Sequence, residues 1–342
     1  MIIILDWAIC YSPSLLNEKK VFFKKGCEKM LKYVVKRVIY ALLTIFVLML
    51  LTFLMMHNLP GDPFSTGKGF DPATLAALEK FYGLDKPILE QFFIFVVNAF
   101  QGDLGTSIIY NRPVDIIMET FPVSFQLGMV SLIFAVIAGV FLGALAAIRR
   151  GKKTDTFAMV LSVIGVSIPS FIIASLLQYF LALKLYQWTG LRLFQITGWG
   201  SLNQMILPAL ALSFSSLATV SRLMRTSMLD VLSSDYIKTA KAKGLSEKQI
   251  LWKHALRNAL MPVLTVLGPT AAAVLTGGFV VEKIFTIPGM GRYFVDSITQ
   301  NDFTMIAGVT LFYGVFLIVA ILVVDLLYGV IDPRVNVANV KE

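Results

Sequence analysis

The sequence is poor in the residues that build most catalytic and metal sites. Its 342 residues include two cysteines and two histidines. Cys10 and Cys27 both lie near the amino terminus, which excludes a disulfide framework or a cysteine metal site and leaves free thiols as the expectation. His57 and His254 fall on opposite faces of a membrane under the topology derived below, so no catalytic metal is expected. Charge is scarce as well: Asp, Glu, Lys and Arg make up 15% of the chain against 57% apolar residues, and mean hydropathy is +0.76. That balance excludes a soluble enzyme. A phosphate-cradling loop is also missing. The nearest string, Gly61 to Gly69, has five residues between its first two glycines and places Gly69 where a Ser or Thr must reach magnesium.

Long apolar runs take the place of these features. Apolar stretches cover residues 38–56, 123–148, 157–183, 205–220, 260–281 and 305–331, most of them long enough as helices to cross roughly 30 Å of hydrocarbon. The fold class expected is all-α, a polytopic integral membrane protein of six transmembrane helices. Lys and Arg number 22 on one side of this arrangement and eight on the other. The basic side should be cytoplasmic, which puts both termini inside and residues 57–122 and 282–304 outside. Retained basic loops account for the net charge of +9, so nucleic acid is not expected as a partner. Residues 1–29 read as a poorly ordered extension rather than a cleavable signal peptide, because the apolar run Ile2 to Leu5 is too short. The first helix with its basic lead covers 30–56, the external loop 57–122, a five-helix core 123–334 and a tail 335–342. The external loop holds eight acids and four bases, with amphipathic helices expected over Asp71 to Gly83 and Ile88 to Phe100.

Polar features inside the spans are few. Asp325 is the one acid within a span, where mid-helix insertion costs roughly 2.5–3.5 kcal/mol. Asp332 and Arg334 near it favour a structural or gating pair over a proton relay. Gly139 and Gly143 form a GxxxG pair that permits close helix approach. Pro169, Pro208, Pro262 and Pro269 bend or interrupt the third to fifth spans, and freed backbone groups there must be buried or face a water-filled cavity. Ser167, Ser170 and Gln178 recur near one helix face, and Thr265 and Thr276 are eleven apart. Lining of a translocation pathway and ordinary interhelical hydrogen bonding explain these five residues equally well.

The most informative stretch is the charged segment 222–258. Ser234 to Ser246 reads as a capped helical turn stopped by Gly244, followed by a second helix with an apolar stripe of Leu245, Ile250, Leu251, Ala255 and Leu256. Lys248, Lys253 and Arg257 surround the stripe, a pattern that a helix lying on anionic lipid would also show. The run Asp235-Tyr236-Ile237-Lys238-Thr239-Ala240-Lys241-Ala242-Lys243-Gly244-Leu245, continued by His254 to Pro262, resembles the coupling loop of permease subunits in bacterial ABC importers of oligopeptides and dipeptides. Leu59 to Pro63, Gly83 to Pro87, Val281 to Gly291 and Asp325 to Arg334 agree with the same family, so the resemblance spans nearly the whole chain beyond Met30. In the general importer pattern, Glu-Ala-Ala stands six residues before the glycine and a proline thirteen after it. Here those places hold Lys238-Thr239-Ala240 and Arg257, with the proline delayed to Pro262, a mark of the peptide subfamily.

The resemblance implies a non-catalytic subunit of the bacterial cytoplasmic membrane that binds no cofactor of its own. ATP and magnesium would belong to two cytoplasmic P-loop ATPase subunits. A homologous second permease, an extracytoplasmic binding protein, membrane lipid and a peptide substrate complete the set of implied partners. The residues implied in coupling are Asp235, Tyr236, Thr239, Ala240, Ala242, Gly244, Leu245, His254, Arg257 and Asn258. An oligopeptide is the first expectation for cargo, then a dipeptide or a nickel chelate. An ion-coupled carrier, which needs more acids inside its bundle, and a non-transporting membrane scaffold are the rivals from other classes.

Overall fold

The computed structural model describes residues 17–58, 73, 77, 80, 83, 85–107, 109, 110, 113–275 and 278–331, with side chains from residue 34 except at 56 and 325–331. Among the described residues no β-strand forms. The helices that lie wholly among the described residues are α1 (Asn17–Asn58), α2 (Ile88–Phe100), α3 (Pro113–Ile148), α4 (Lys153–Ser167), α5 (Ser170–Thr189), α6 (Leu202–Ser233), α7 (Asp235–Ala242), α8 (Glu247–Leu275), α9 (Phe279–Ile284), α10 (Met290–Thr299) and α11 (Phe303–Ile331). Six of them contain a stretch long and apolar enough to cross a membrane: Val34–Met55 of α1, α3, α5, α6, α8 and Phe303–Val324 of α11. The expected class and the number of spans are thus present. Helix α2 covers the expected Ile88 to Phe100, whereas the helix expected at Asp71 to Gly83, the tail and residues 1–16 fall mostly or wholly outside the described residues. The boundary expected at Met30 lies inside α1.

Three spans differ from the sequence reading. The third, expected as one helix over 157–183, is broken: α4 ends at Ser167, Ile168 is extended (φ −96°, ψ 126°), and α5 starts after Pro169. Proline supplies no N–H and forces the residue before it out of the helical region, which together end the helix. The fourth runs eleven residues past Arg222, and the fifth begins thirteen residues before Leu260, with a widened π-helical turn over Ile250–Leu256. Much of the segment expected to form short helices of its own between the two spans therefore continues the helices on either side of it. Pro262 and Pro269, by contrast, sit within α8 without ending it.

Two compact units make up the chain, residues 1–52 with 311–342 and residues 53–310. In the first, Gly314 faces the Leu48 side chain. In the second, small residues set how closely helices approach. A Cβ on Gly139 would lie 2.8 Å from Val220 Cγ1 and 3.0 Å from the Leu217 oxygen. A Cβ on Gly128 would lie 2.7 Å from the Val274 oxygen of α8. Helix α3 therefore lies backbone to backbone against α6 and α8, the contact that small residues permit and larger ones forbid.

Candidate functional site

Ser234 alone separates α6 from α7, and its extended backbone (φ −71°, ψ 154°) turns the chain. Its hydroxyl does not cap α7 as expected. It turns back and donates to the Val231 oxygen at 2.5 Å, while Asp235 occupies the first helical turn and pairs with Lys238 at 2.8 Å. The helix ends in a two-bond cap: Gly244 N–H donates to the Lys241 oxygen (2.9 Å) and Leu245 N–H to the Ala240 oxygen (3.3 Å). Gly244 takes φ +77°, the left-handed conformation this cap requires and that glycine adopts without a Cβ penalty. Ser246 then opens α8 through a reciprocal capping box with Gln249.

One face of α7 is anchored and the other is presented. Ile237 and Ala240 are buried in a cluster with Met224 and Met228 of α6 and with Ile250, Ala255 and Ala259 of α8, and Leu245, Leu251 and Leu256 pack around it. The expected apolar stripe is thus real, and it faces helices rather than lipid. Asp235, Tyr236, Lys238, Thr239, Lys241 and Ala242 are exposed. Asn258 donates to the Tyr236 hydroxyl at 3.1 Å and to the His254 oxygen at 2.9 Å, tying α7 sideways to α8. His254 is half-buried and Arg257 exposed. Trp252, 72% exposed beside this surface, was missed by sequence reasoning although a tryptophan in a charged segment is itself a signal.

The three residues expected along one face of the third span fall on two helices. The break at Ile168 and Pro169 puts Ser167 on α4 and Ser170 on α5, so spacing along a single helix does not apply to them. Gln178 is committed to the backbone, donating to the oxygens of Ile196 (2.9 Å) and Ile284 (3.1 Å). Thr265 is exposed on α8 and donates to the Met261 oxygen. Thr276 and the Asp325 side chain lie outside the described residues.

Two buried acids outside these expectations do have partners. Asp155, 5% exposed at the start of α4, accepts from Arg225 Nε (2.6 Å) and Nη2 (2.8 Å) and from Gly151 N–H (2.9 Å). The Arg225 hydrogen bonds hold its carboxyl down to a pKa of about 2. Glu282 on the short α9 is fully buried. One oxygen accepts from Gly291 N–H (2.8 Å) and Ser124 (3.1 Å), and Ser124 in turn accepts from Met290 N–H (2.9 Å). The other carboxyl oxygen has no partner. Burial pushes this carboxyl up from 4.5 to about 7 against the two hydrogen bonds.

Because the folded chain holds the Glu282 proton more tightly than the unfolded chain, the contribution of this group to stability is fully present below pH 4.5 and is lost as pH rises through about 7. The loss is on the order of 3 kcal/mol for a shift of this size. Glu282→Gln should flatten the thermal midpoint of detergent-solubilised protein across that window. A pH slope unchanged by the substitution would show that another group titrates there.

Six apolar spans among the described residues, with a short anchored helix presented between two of them, define a polytopic helical membrane protein. The chain belongs to the family of binding-protein-dependent transport system inner membrane components, whose model matches residues 139–337, with the amino-terminal model of the same family matching 30–128. It is 48% identical over 309 residues to the dipeptide transport system permease protein DppB of Lactococcus lactis, covering 90% of this chain and all of that protein. The DppB protein of Bacillus subtilis is 47% identical over 312 residues (90% and 98%). The oligopeptide transport system permease protein OppB of Haemophilus influenzae is 40% identical over 311 residues (90% and 100%). The chain is thus a multi-pass inner-membrane component of a binding-protein-dependent transporter.

Proposed function

We propose that this chain is the non-catalytic permease subunit of an ATP-driven importer of short peptides, with both termini in the cytoplasm. The excess of Lys and Arg, 22 against eight, supports that orientation. In that orientation the exposed face of α7 lies on the side where ATP is hydrolysed. The observation that carries the reading is the placement of α7. Ile237 and Ala240 root it between α6 and α8, and its exposed face is free for a partner. Closure of two P-loop ATPases carrying ATP and magnesium would push on Asp235, Tyr236, Thr239 and Ala242. The rigid connection would then carry the push into α6 and α8 and switch access from one side of the membrane to the other. A second, homologous permease completes the pore, and an extracytoplasmic binding protein delivers the peptide.

Among cargoes, the higher identities to the two dipeptide permeases favour dipeptides over longer peptides. Cells lacking this chain should lose uptake of labelled peptides two to six residues long, the shortest most, while nickel uptake is unaffected. Loss of nickel uptake alone would leave the family and remove the cargo assignment.

A further inference from the structure

We propose that the Asp155–Arg225 ion pair makes α4 a rigid passenger of α6, so that movement of α7 is delivered to the break at Ile168 and Pro169. The inference rests on the coupling role of α7 proposed above. Helix α6 runs without interruption from Leu202 to Ser233 and meets α7 after one residue, so a displacement of α7 acts directly on α6. Asp155, Ala158, Ser162 and Gly165 recur at helical spacing and form the buried stripe of α4. At one end of this stripe Arg225 of α6 grips the Asp155 carboxylate with two nitrogens. At the other end a Cβ on Gly165 would lie 2.7 Å from Ala218 Cβ and 3.0 Å from the Phe214 oxygen, both on α6.

The two ends do different work. Small residues bring the helices close but leave them free to slide along each other. A bidentate arginine pair fixes distance, angle and axial position together. Gly151 N–H binds the same carboxylate and ties in the turn that joins α3 to α4. Removing Arg225 strands the buried Asp155 carboxylate, which favours the paired arrangement. Helix α4 then moves with α6 as far as Ser167, and beyond it the extended Ile168 and the proline interrupt the hydrogen-bond ladder. That interruption is where backbone angles can absorb the motion, as hinges at element ends do. Asp155 and Arg225 are accordingly positioning residues for transport, and Ser167 and Ser170 flank the hinge they drive.

The test uses the complete importer, with both permeases and both ATPases, in proteoliposomes with peptide-loaded binding protein. Peptide moved per ATP hydrolysed is read beside the amount of assembled complex. Asp155→Asn and Arg225→Gln are expected to lower that ratio about tenfold in assembled complex, and Arg225→Lys, which keeps charge but not the two-pronged grip, by less. The exchanged pair, Asp155→Arg with Arg225→Asp, restores an ion pair but leaves Gly151 N–H without its acceptor, and is expected to recover part of the ratio. Single variants that assemble and keep the wild-type ratio would overturn the inference while leaving the proposed function intact. If the single variants fail to assemble, the exchanged pair decides: coupling supports the inference, and assembly without coupling overturns it. A wild-type importer that hydrolyses ATP without moving peptide would remove the proposed function and this inference with it.

Discussion

Gly244→Val is expected to leave the chain folded in the membrane and to cut peptide uptake about tenfold, because a β-branched residue is a genuine outlier at positive φ. The reason is conformational rather than steric. A Cβ at Gly244 meets nothing within 4 Å, so there is room for a side chain, but the backbone stands at φ +77°. Holding an ordinary residue in the left-handed region costs roughly 1–2 kcal/mol. That strain falls on the cap that ends α7, where Gly244 and Leu245 bond the Lys241 and Ala240 oxygens. A cap that opens swings Leu245 out of the apolar cluster and loosens the root of α7 while the spanning helices stay packed. Gly244→Asn separates the two explanations, since Asn tolerates this backbone region far better than Val. It should retain most of the uptake. Normal uptake by Gly244→Val at wild-type protein level would contradict the role given to the turn.

The largest effect on folding is expected at Gly143. Its Cβ would run into the Ser221 oxygen and lie 2.7 Å from Met224 Cβ and 3.1 Å from the Arg225 nitrogen, so the neighbours are backbone and the stem of a buried side chain. None of these can rotate away. Gly143→Leu must push α3 and α6 apart, and overpacking of a close interface costs about 3 kcal/mol at the upper end of the usual range. It also displaces the α6 backbone that carries Arg225. Thermal unfolding in detergent should show a lowered midpoint and size-exclusion a smaller folded fraction, with Gly143→Ala between Leu and the parent. A midpoint unchanged by leucine would mean that the helices are not held at this distance.

What the sequence revealed and what it concealed divide by the range of the signal. The number of spans, the Ile88–Phe100 helix, the glycine pair on α3 and the stop at Gly244 are written in local pattern, and these agree with the structure. The end of the fourth span was misplaced because Arg222 and Arg225 look like a membrane boundary. Arg225 is instead paired with Asp155, 70 residues away, and Met224 and Met228 are buried against α7 and α8, partners that no local pattern announces. Pro169 was visible as a disturbance, yet only the extended Ile168 shows that the helix ends there, which separates Ser167 from Ser170. Glu282 was read only as part of a family run. Its burial depends on Ser124 and Gly291 closing over it from elsewhere in the chain.

In the proposed role this chain converts ATP hydrolysis by partner subunits into movement of peptide. Labelled-peptide uptake tests it most directly when cells with and without the chain are compared, with ATP held constant while the proton gradient is collapsed. Uptake that needs the chain, survives loss of the gradient and stops when ATP is depleted is the result expected. Uptake that follows the gradient, or that continues without the chain, would contradict the claim.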